Sequence, residues 1–293
     1  MLLHAIWSGI TLLFESRPKK KLRREILSYY KSIPAQDIDP HKKEALEFLS
    51  DHKLHVFPHN FIKKYKRNRV AVHTDEATGL KYVLHDGKRL YFKRNWSARK
   101  IRRNYNFLLL EQDPLSPHRY LTDHFTVNHG DVVVDAGAAE GNFALSIIDK
   151  AEKLYLFETD TEWIEALEAT FKPWRNKVEI INRFVSNFND EEHVSLDQFL
   201  QKKSRVDFIK ADIEGAESDF LQGSSSILSA NKNLKIAITT YHKQKDEVEL
   251  NVVLQKYGFS TSFTNGYMLF PHYEPLKPPY FRRGLLRATK QSQ

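Results

Sequence analysis

Residues 131–142 restrict the fold more than any other stretch of the sequence. The run 131–135 (DVVVD) is apolar except at its ends and finishes in an acid, which is typical of a strand buried on both faces of a sheet. A loop of small residues with Gly137 and Gly141 follows, and residues 143–150 then have helical periodicity. A strand, a tight loop and a helix in this order predict the first unit of a parallel α/β sheet.

The alternation of strand and helix patterns continues along the chain. Four further apolar runs predict strands at 153–157, 178–182, 206–210 and 234–240. Regular β-α alternation indicates a mostly parallel sheet with helices on both faces, and ligands bind such sheets at the carboxyl ends of the strands.

The pattern after residue 240 predicts how the sheet ends. A helix over 246–257 would place Val248, Val252 and Val253 inward. The strand-like runs 259–263 and 267–270 flank Asn265-Gly266, which favours a type I′ hairpin.

The small-residue loop predicts a cofactor site. Gly137 and Gly141 permit a sharp turn and a close approach of the ligand, and Glu158 ends the second strand, where it can accept hydrogen bonds from ribose hydroxyls. The loop departs from the G-x-G-x-x-G pattern of NAD enzymes because Ala139 lies between the glycines. The carboxylate of Asp135 would repel a pyrophosphate but suits a cation, so S-adenosylmethionine fits better than NAD. The alternative is a structural turn with an incidental acid.

The predicted cofactor-binding residues are Asp135, Ala136, Gly137, Ala138, Glu140, Gly141, Asn142 and Glu158.

Composition excludes several classes of protein. The 293 residues contain no cysteine, so a disulfide framework, a thiolate nucleophile and a zinc-thiolate site are excluded. No apolar run reaches the roughly 18 residues that a spanning helix needs. The net charge of +8 is unevenly distributed: residues 1–130 hold 25 Lys and Arg against 13 Asp and Glu, whereas residues 131–293 hold 20 against 24.

The basic first part contains several predicted elements. Residues 1–15 have the pattern of an amphipathic helix and precede the basic cluster 17–24, so residues 1–24 could bind an anionic membrane surface. The alternative is a helix that docks on its own domain or on a partner. Further helices are predicted over 19–31 and 40–51, and three short β runs between 70 and 92 predict a small antiparallel meander.

Basic and aromatic residues interleave at 63–69 and 88–105, a mixture that suits nucleic acid. No known nucleic-acid-binding module is recognisable, so the sequence disfavours a nucleic-acid partner. A solvated basic face that contacts anionic glycan or lipid is the preferred interpretation.

Residues 116–270 resemble the FkbM-type family of S-adenosylmethionine-dependent methyltransferases. The matching pieces are DAGAAEGN at 135–142, Phe157-Glu158, Ser195-Leu196-Asp197 and VDFIKADIEGAE at 206–217, the last close to the family signature K-x-D-x-E-G-x-E. The resemblance implies a class I methyltransferase fold, that is, a Rossmann-like, mostly parallel seven-stranded sheet, and most often O-methylation of a hydroxyl. Many members carry an acid after the fifth strand, where this chain has Thr240-Tyr241-His242-Lys243.

The candidate catalytic residues are His242, Asp212 and Glu214. Histidine titrates near neutral pH, so His242 is the preferred general base, although it could instead bond to the sheet edge or cap a helix. Asp212 and Glu214 could bind a divalent cation such as Mg²⁺ that lowers the pKa of the acceptor hydroxyl. Alternatively, Glu214 caps the helix that starts near Gly215 and Asp212 orients a substrate without metal. Lys210 is expected to face outward at the strand end, where it could pair with an acid.

These interpretations predict three regions: a basic N-terminal region (1–115), a methyltransferase domain (116–275) and a basic C-terminal tail (276–293). The predicted function is S-adenosylmethionine-dependent O-methylation of a sugar hydroxyl in a glycan or glycolipid, by a cytoplasmic protein that can contact the inner membrane face. The alternatives are an RNA methyltransferase that uses the basic part as a platform, and a non-catalytic module that keeps the fold.

Overall fold

The computed structural model describes residues 16–201, 203, 205–271 and 275–290, so the helix predicted over 1–15 lies outside the described residues. The α-helices are α1 (Arg17–Lys31), α2 (Pro40–Asp51), α3 (Ala98–Glu111), α4 (Asn142–Ile147), α5 (Thr161–Phe171), α6 (Leu196–Leu200), α7 (Glu217–Gln222), α8 (Ser225–Ala230) and α9 (Asp246–Lys256). Short 3-10 turns lie at Ala35–Asp37, Asn60–Lys64, Arg67–Arg69 and Lys172–Trp174. Within the described ranges, no helix combines the length and the apolar character needed to cross a membrane.

The strands are β1 (His73–Thr74), β2 (Lys81–His85), β3 (Lys88–Tyr91), β4 (Val132–Ala136), β5 (Lys153–Phe157), β6 (Val178–Ile181), β7 (Phe184–Val185), β8 (His193–Val194), β9 (Phe208–Ala211), β10 (Lys235–Thr239), β11 (Ser260–Phe263) and β12 (Leu285–Thr289). Seven of them form the central sheet in the order β11-β12-β10-β9-β4-β5-β6. The neighbours from β10 to β6 are parallel, and β12 is antiparallel to both β10 and β11. The predicted class I methyltransferase sheet is confirmed.

Two apolar layers cover the sheet. One face packs against α3, α4 and α5, and the other against α6, α7, α8 and α9. All five residues of β4 are buried, as expected for a central parallel strand. The sheet therefore has helices on both faces, as the β-α alternation predicts.

The predicted hairpin around Asn265-Gly266 is wrong. The partner of β11 is β12, which comes from the segment that was predicted to be a tail. Residues 267–270 instead pack against the N-terminal region, where the amide of Leu269 donates to the carbonyl of Val56 at 2.9 Å. Burial of this apolar run outweighs the local preference of Asn-Gly for a two-residue hairpin.

The face of α9 that is buried also differs from the prediction. Leu250 and Leu254 are buried, whereas Val248 is 66% and Val252 41% exposed. The leucines are one turn apart and pack against the sheet, so Val248 and Val252 fall on the solvent side. Val253 is partly buried against the same cluster, as predicted.

The N-terminal meander shares a core with the central sheet. The strands β1, β2 and β3 form the predicted antiparallel sheet, and its buried residues belong to the same apolar cluster as α4 and α5. The amide of Tyr91 in β3 donates to Thr170 Oγ1 at 3.0 Å. Lys93 forms an ion pair with Asp160, the N-cap of α5. The meander is therefore fixed to the helix that follows β5.

Helices α1 and α2 pack on the segment that leads into β12. Ile26, Tyr30 and Phe48 lie in one buried cluster with Phe281. The Tyr30 hydroxyl donates to the carbonyl of Pro279 at 2.5 Å. The chain before β12 is thus held by the basic N-terminal region.

Candidate active site

The site lies at the carboxyl ends of the parallel strands. In register, Asp135 of β4 is opposite Lys210 of β9 on one side and Leu156 of β5 on the other. The glycine loop therefore begins between the tips of two neighbouring strands. Polar residues also follow β9 and β10, so side chains that are distant in sequence converge at this edge.

The glycine loop packs directly against the loop that follows β9. Gly137 has a φ of +76°, and a Cβ there would lie 2.0 Å from the carbonyl oxygen of Asp212. Gly141 has a φ of +79°, and its Cβ would lie 2.6 Å from Leu167 in α5. Glycine is required at both positions. At Gly137 the backbone of the loop after β9 approaches closely, and at Gly141 the side chains of α5 pack against the loop. The predicted tight turn is confirmed; its contact with a ligand stays a prediction.

Four further predicted residues line the same loop. The carbonyl of Ala136 accepts a hydrogen bond from the loop after β9 at 3.1 Å, and the amide of Ala138 donates to the tip of β5 at 3.0 Å. Glu140 accepts from Asn104 Nδ2 at 2.9 Å, which connects the loop to α3. Asn142 is the first residue of α4.

Glu158 organises the tip of β5. Its Oε2 accepts from the amide of Ala139 at 2.8 Å, and its Oε1 accepts from the amides of Thr159 and Asp160 at 2.8 Å. The side chain therefore ties the glycine loop to the end of the strand. The predicted contact with a ribose would add to this role.

Asp135 and Lys210 form a buried ion pair. Lys210 Nζ lies 3.0 Å from Asp135 Oδ1 and donates to the carbonyl of Gly137 at 2.6 Å. Burial acts to lower the pKa of Lys210, but the carboxylates of Asp135 and Asp212 outweigh it and raise the pKa. The expectation that Lys210 faces outward is wrong because its register places it beside a buried acid, whereas its expected pairing with an acid is confirmed. The carboxylate predicted to face a cationic ligand is neutralised by this lysine, which also holds the glycine loop.

Asp212 accepts bonds from several side chains. Its Oδ2 accepts from the Tyr120 hydroxyl at 2.7 Å, and its Oδ1 accepts from the Tyr241 hydroxyl at 3.2 Å. His118 Nε2 lies 3.3 Å from Oδ2, and His242 Nε2 lies 3.6 Å from Oδ1. Burial acts to raise the pKa of Asp212, but the hydrogen bond with His118 and the charges of Lys210 and His242 hold it well below its usual range. Asp212 is therefore a fixed negative charge.

His242 is paired with Glu217 inside the protein. Its Nδ1 lies 2.8 Å from Glu217 Oε1, and both side chains are 0% exposed. Burial acts to lower the pKa of His242, but Glu217, Asp212 and Glu214 outweigh it and raise the pKa to about 9. A protonated imidazole has no lone pair with which to accept a proton. The raised pKa therefore argues against the predicted role of His242 as general base.

Glu214 has the properties that a base at this site needs. It lies on the loop after β9 with a φ of +60°, and its side chain is 24% exposed. Burial raises its pKa to about 7, although the charge of His242, 3.5 Å away, opposes the shift. The alternative role of a helix cap is not confirmed, because Ala216 is the N-cap of α7 and has no side-chain bond to the helix.

A divalent cation would have to compete with a proton at this site. Among the described residues, ligand atoms of Asp212, Glu217 and His242 lie within 4.8 Å of one another. The pKa of His242 is raised to about 9 and its Nδ1 is paired with Glu217, so a metal would have to displace both the proton and this pairing. Its Nε2 also lies between Asp212 and Glu214, the predicted metal ligands, at 3.6 Å and 3.5 Å. An imidazolium already supplies the positive charge that a metal would bring.

Sequence reasoning missed the side chains that reach the site from outside the motifs. Asn104, His118 and Tyr120 come from α3 and the segment after it, and Arg282 donates to the carbonyls of Tyr241 and of the next residue at 2.7 Å. No motif marks these residues. The topology of the chain offers a signal. Because the chain enters β4 at the amino end of the strand, residues further back in the sequence, on α3 and just after it, can reach the carboxyl edge of the sheet.

The Ser-Leu-Asp piece of the family pattern has a structural role. Ser195 Oγ accepts from the amide of Gln198 at the start of α6. The Asp197 carboxylate accepts from the amides of Ser226 and Ile227 at 2.8 Å and 3.0 Å. These bonds cap α6 and α8.

Comparison with known proteins identifies the family. Residues 60–261 match the sequence profile of the methyltransferase FkbM domain. No curated protein matches the chain. Among solved structures, methyltransferase FkbM from Methylobacillus flagellatus KT is 16% identical with a TM-score of 0.45, over 67% of this chain and 56% of that one. The chain thus spans little more than half the length of that relative.

Other similar structures differ in what their names describe. A putative RNA methyltransferase from Pyrococcus horikoshii is 19% identical with a TM-score of 0.36, over 56% of this chain and 77% of that one. A precorrin-6y C5,15-methyltransferase from Geobacter metallireducens GS-15 is 9% identical with a TM-score of 0.39, over 56% of this chain and 82% of that one.

Proposed function

Because the chain belongs to the methyltransferase FkbM domain family, we propose that it transfers a methyl group from S-adenosylmethionine to a hydroxyl of a sugar in a glycan or glycolipid. The proposal names a cofactor, a base and an acceptor class. Each is supported by a different part of the site.

The glycine loop and Glu158 fit the cofactor. Gly137 makes the sharp turn that brings the glycine loop against the carbonyl oxygen of Asp212, and the loop is fixed by Glu158 and Lys210. Glu158 and the loop would hold the adenosine part. When bound, S-adenosylmethionine supplies a methyl group that its sulfonium activates.

The observation that carries the proposal is the state of Glu214. A carboxyl with a pKa of about 7, partly exposed and next to the glycine loop, can accept a proton at working pH. Removal of a proton is what an alcohol acceptor requires. Glu214 thus accepts the proton of the acceptor hydroxyl as the oxygen gains its methyl group.

Asp212 and His242 position Glu214 and the acceptor. Asp212 is ionised and held by Tyr120 and Tyr241, so it can orient a hydroxyl but does not titrate near neutral pH. His242 stays protonated and lies between Asp212 and Glu214. Its positive charge offsets the repulsion between the carboxylates of Asp212 and Glu214, so Glu214 can ionise beside Asp212.

A basic surface in the N-terminal region supports an anionic acceptor. This surface consists of the cations of two acid-free segments, 63–69 and 98–103, and comprises Lys63, Lys64, Lys66, Arg67, Arg69, Arg99, Lys100, Arg102 and Arg103. Arg102 donates to the carbonyl of Val70, which joins the two segments. Burial, together with Arg67 and Arg99, lowers the pKa of Arg103. The cations repel one another, and a bound anion relieves this repulsion.

The direct test is transfer of labelled methyl from S-adenosylmethionine to a panel of oligosaccharides, lipid-linked sugars and total RNA, followed by mass spectrometry of the product. We expect a methyl ether on a sugar, and we expect Glu214→Gln to slow its formation by about 10²–10⁴-fold. If RNA alone is labelled, the acceptor is RNA and the proposed sugar acceptor is wrong. If calorimetry shows no binding of S-adenosylmethionine by the wild type, the chain is a non-catalytic module. If the cofactor binds, Glu158→Ala should weaken it, and unchanged affinity would refute the ribose contact.

A further inference from the structure

One face of α3 is directed at the site. Asn104 Nδ2 donates to Glu140 Oε1 at 2.9 Å. Glu111 follows seven residues later, two helical turns along, and so lies on the same face. The side chain of the next residue, Gln112, accepts from the amide of Tyr120, and the Tyr120 hydroxyl donates to Asp212 on the loop after β9. The end of α3 is thus fixed beside the site.

The carboxyl of Glu111 is buried among like charges. Its residue is 8% exposed, and the structure shows no hydrogen bond or ion pair for its side chain within the described residues. Burial raises its pKa well above the usual range; Asp212, Glu140 and Glu214 reinforce the shift and Lys210 opposes it. Glu111 is also the last residue of α3, where the helix dipole disfavours a negative charge.

A buried carboxyl without a hydrogen-bond partner favours a ligand that donates hydrogen bonds, and a cationic donor also balances the charge that the carboxyl gains when it ionises. The two positive groups of S-adenosylmethionine are the sulfonium, which has no N–H, and the ammonium, which has three donors. An acceptor with anionic groups brings no such cation. We infer that Glu111 binds the ammonium group at the amino-acid end of S-adenosylmethionine. The inference rests on the proposed function.

The test compares two adenosine ligands by calorimetry. S-adenosylhomocysteine carries the ammonium group, whereas 5′-methylthioadenosine shares the adenosine and lacks the amino-acid end. Glu111→Gln should lower the affinity for S-adenosylhomocysteine about tenfold or more, because a hydrogen bond between charged groups is lost. The affinity for methylthioadenosine should stay within about twofold of the wild-type value. Glu158→Ala should weaken both ligands. The matched control is Glu168→Gln, which changes an exposed carboxylate on α5 and should change neither.

The outcomes separate the inference from the function. Equal loss for both ligands in Glu111→Gln, or loss for neither, would overturn the ammonium contact while the cofactor assignment stands. If the wild type binds neither ligand, the proposed function fails and the inference fails with it.

A second readout distinguishes a ligand contact from a packing role. Asp212, Glu140, Glu214 and Lys210 are the charged groups that act on Glu111, so its proton should leave when the ammonium binds. Calorimetry in buffers of different ionisation enthalpy should show more proton release by wild type than by Glu111→Gln. Equal release would contradict the contact. Glu111→Gln should also raise Tm, since it removes a disfavoured buried acid, and a lowered Tm would indicate a structural role.

Discussion

The Cα of Gly137 lies against the carbonyl oxygen of Asp212, so closely that a Cβ at residue 137 would be 2.0 Å from that oxygen. The loop proposed to hold the cofactor and the loop proposed to position the acceptor are therefore in backbone contact. Lys210 strengthens the connection, because it pairs with Asp135 and donates to the carbonyl of Gly137. A change in one loop must displace the other.

Substitution Gly137→Ala should therefore damage both loops. The methyl group collides with a backbone atom at a φ of +76°, so we expect a loss of about 2–4 kcal/mol in the free energy of unfolding. Cofactor affinity should fall as well. Gly130→Ala is the control: its φ is +85° with nothing within 4 Å of the Cβ. Equal effects of the two substitutions on urea unfolding would contradict the proposed contact.

The pH profile of methyl transfer should report Glu214. Because a protonated carboxyl cannot accept a proton, kcat should rise with pH up to about 7, the raised pKa of Glu214. Glu214→Gln should lower kcat by about 10²–10⁴-fold and remove this limb. Glu191→Gln, at an exposed position, should keep the wild-type profile. Persistence of the limb in Glu214→Gln would assign the base to another group.

The His242 pair should make stability depend on pH. The folded-state pKa of His242 is raised from 6.5 to about 9, so its contribution is fully present below pH 6.5 and is lost as the pH rises to about 9. We expect the free energy of unfolding to fall by about 3 kcal/mol across this window. His242→Gln should remove this part of the dependence, as measured by urea unfolding at several pH values. A free energy of unfolding that rises with pH over the same window in the wild type would contradict this prediction.

The buried pair of Asp135 and Lys210 should behave as a unit. Lys210→Met leaves a buried carboxylate without its partner and should cost about 3–5 kcal/mol in the free energy of unfolding. Adding Asp135→Asn should recover most of that loss. Lys153→Met, which breaks a half-exposed pair with Glu179, should cost about 1 kcal/mol or less. Additive losses in the double variant would argue against the pairing.

The basic surface should bind anionic sugars. Replacing Arg67, Arg99 and Arg103 by serine should lower the affinity for a heparin hexasaccharide by about tenfold and reduce the salt dependence of binding. Replacing Lys20, Lys21 and Arg24 on α1 removes the same charge elsewhere and is the control. If both triple variants lose affinity equally, only net charge matters and the surface has no specific role.

Local patterns predicted the elements of the sheet well and their final arrangement less well. Buried parallel strands are continuous apolar runs, so β4, β5, β9 and β10 were evident. The strand β12 was missed, and Asn265-Gly266 was assigned a hairpin, because the turn preference is local. The partner that overrides it, the apolar surface around Val56, is about 200 residues away in sequence.

The sequence by itself determined the fold class, the family and the edge of the sheet where the site lies, because strand periodicity and a short motif are local properties. The basic first part and the acidic second part were also evident from counting charges. Only the tertiary structure decided what each charged group does. Whether His242 is neutral, whether Lys210 faces outward and whether Glu111 matters depend on burial and on neighbours from other elements. Those neighbours set the pKa values of the buried groups.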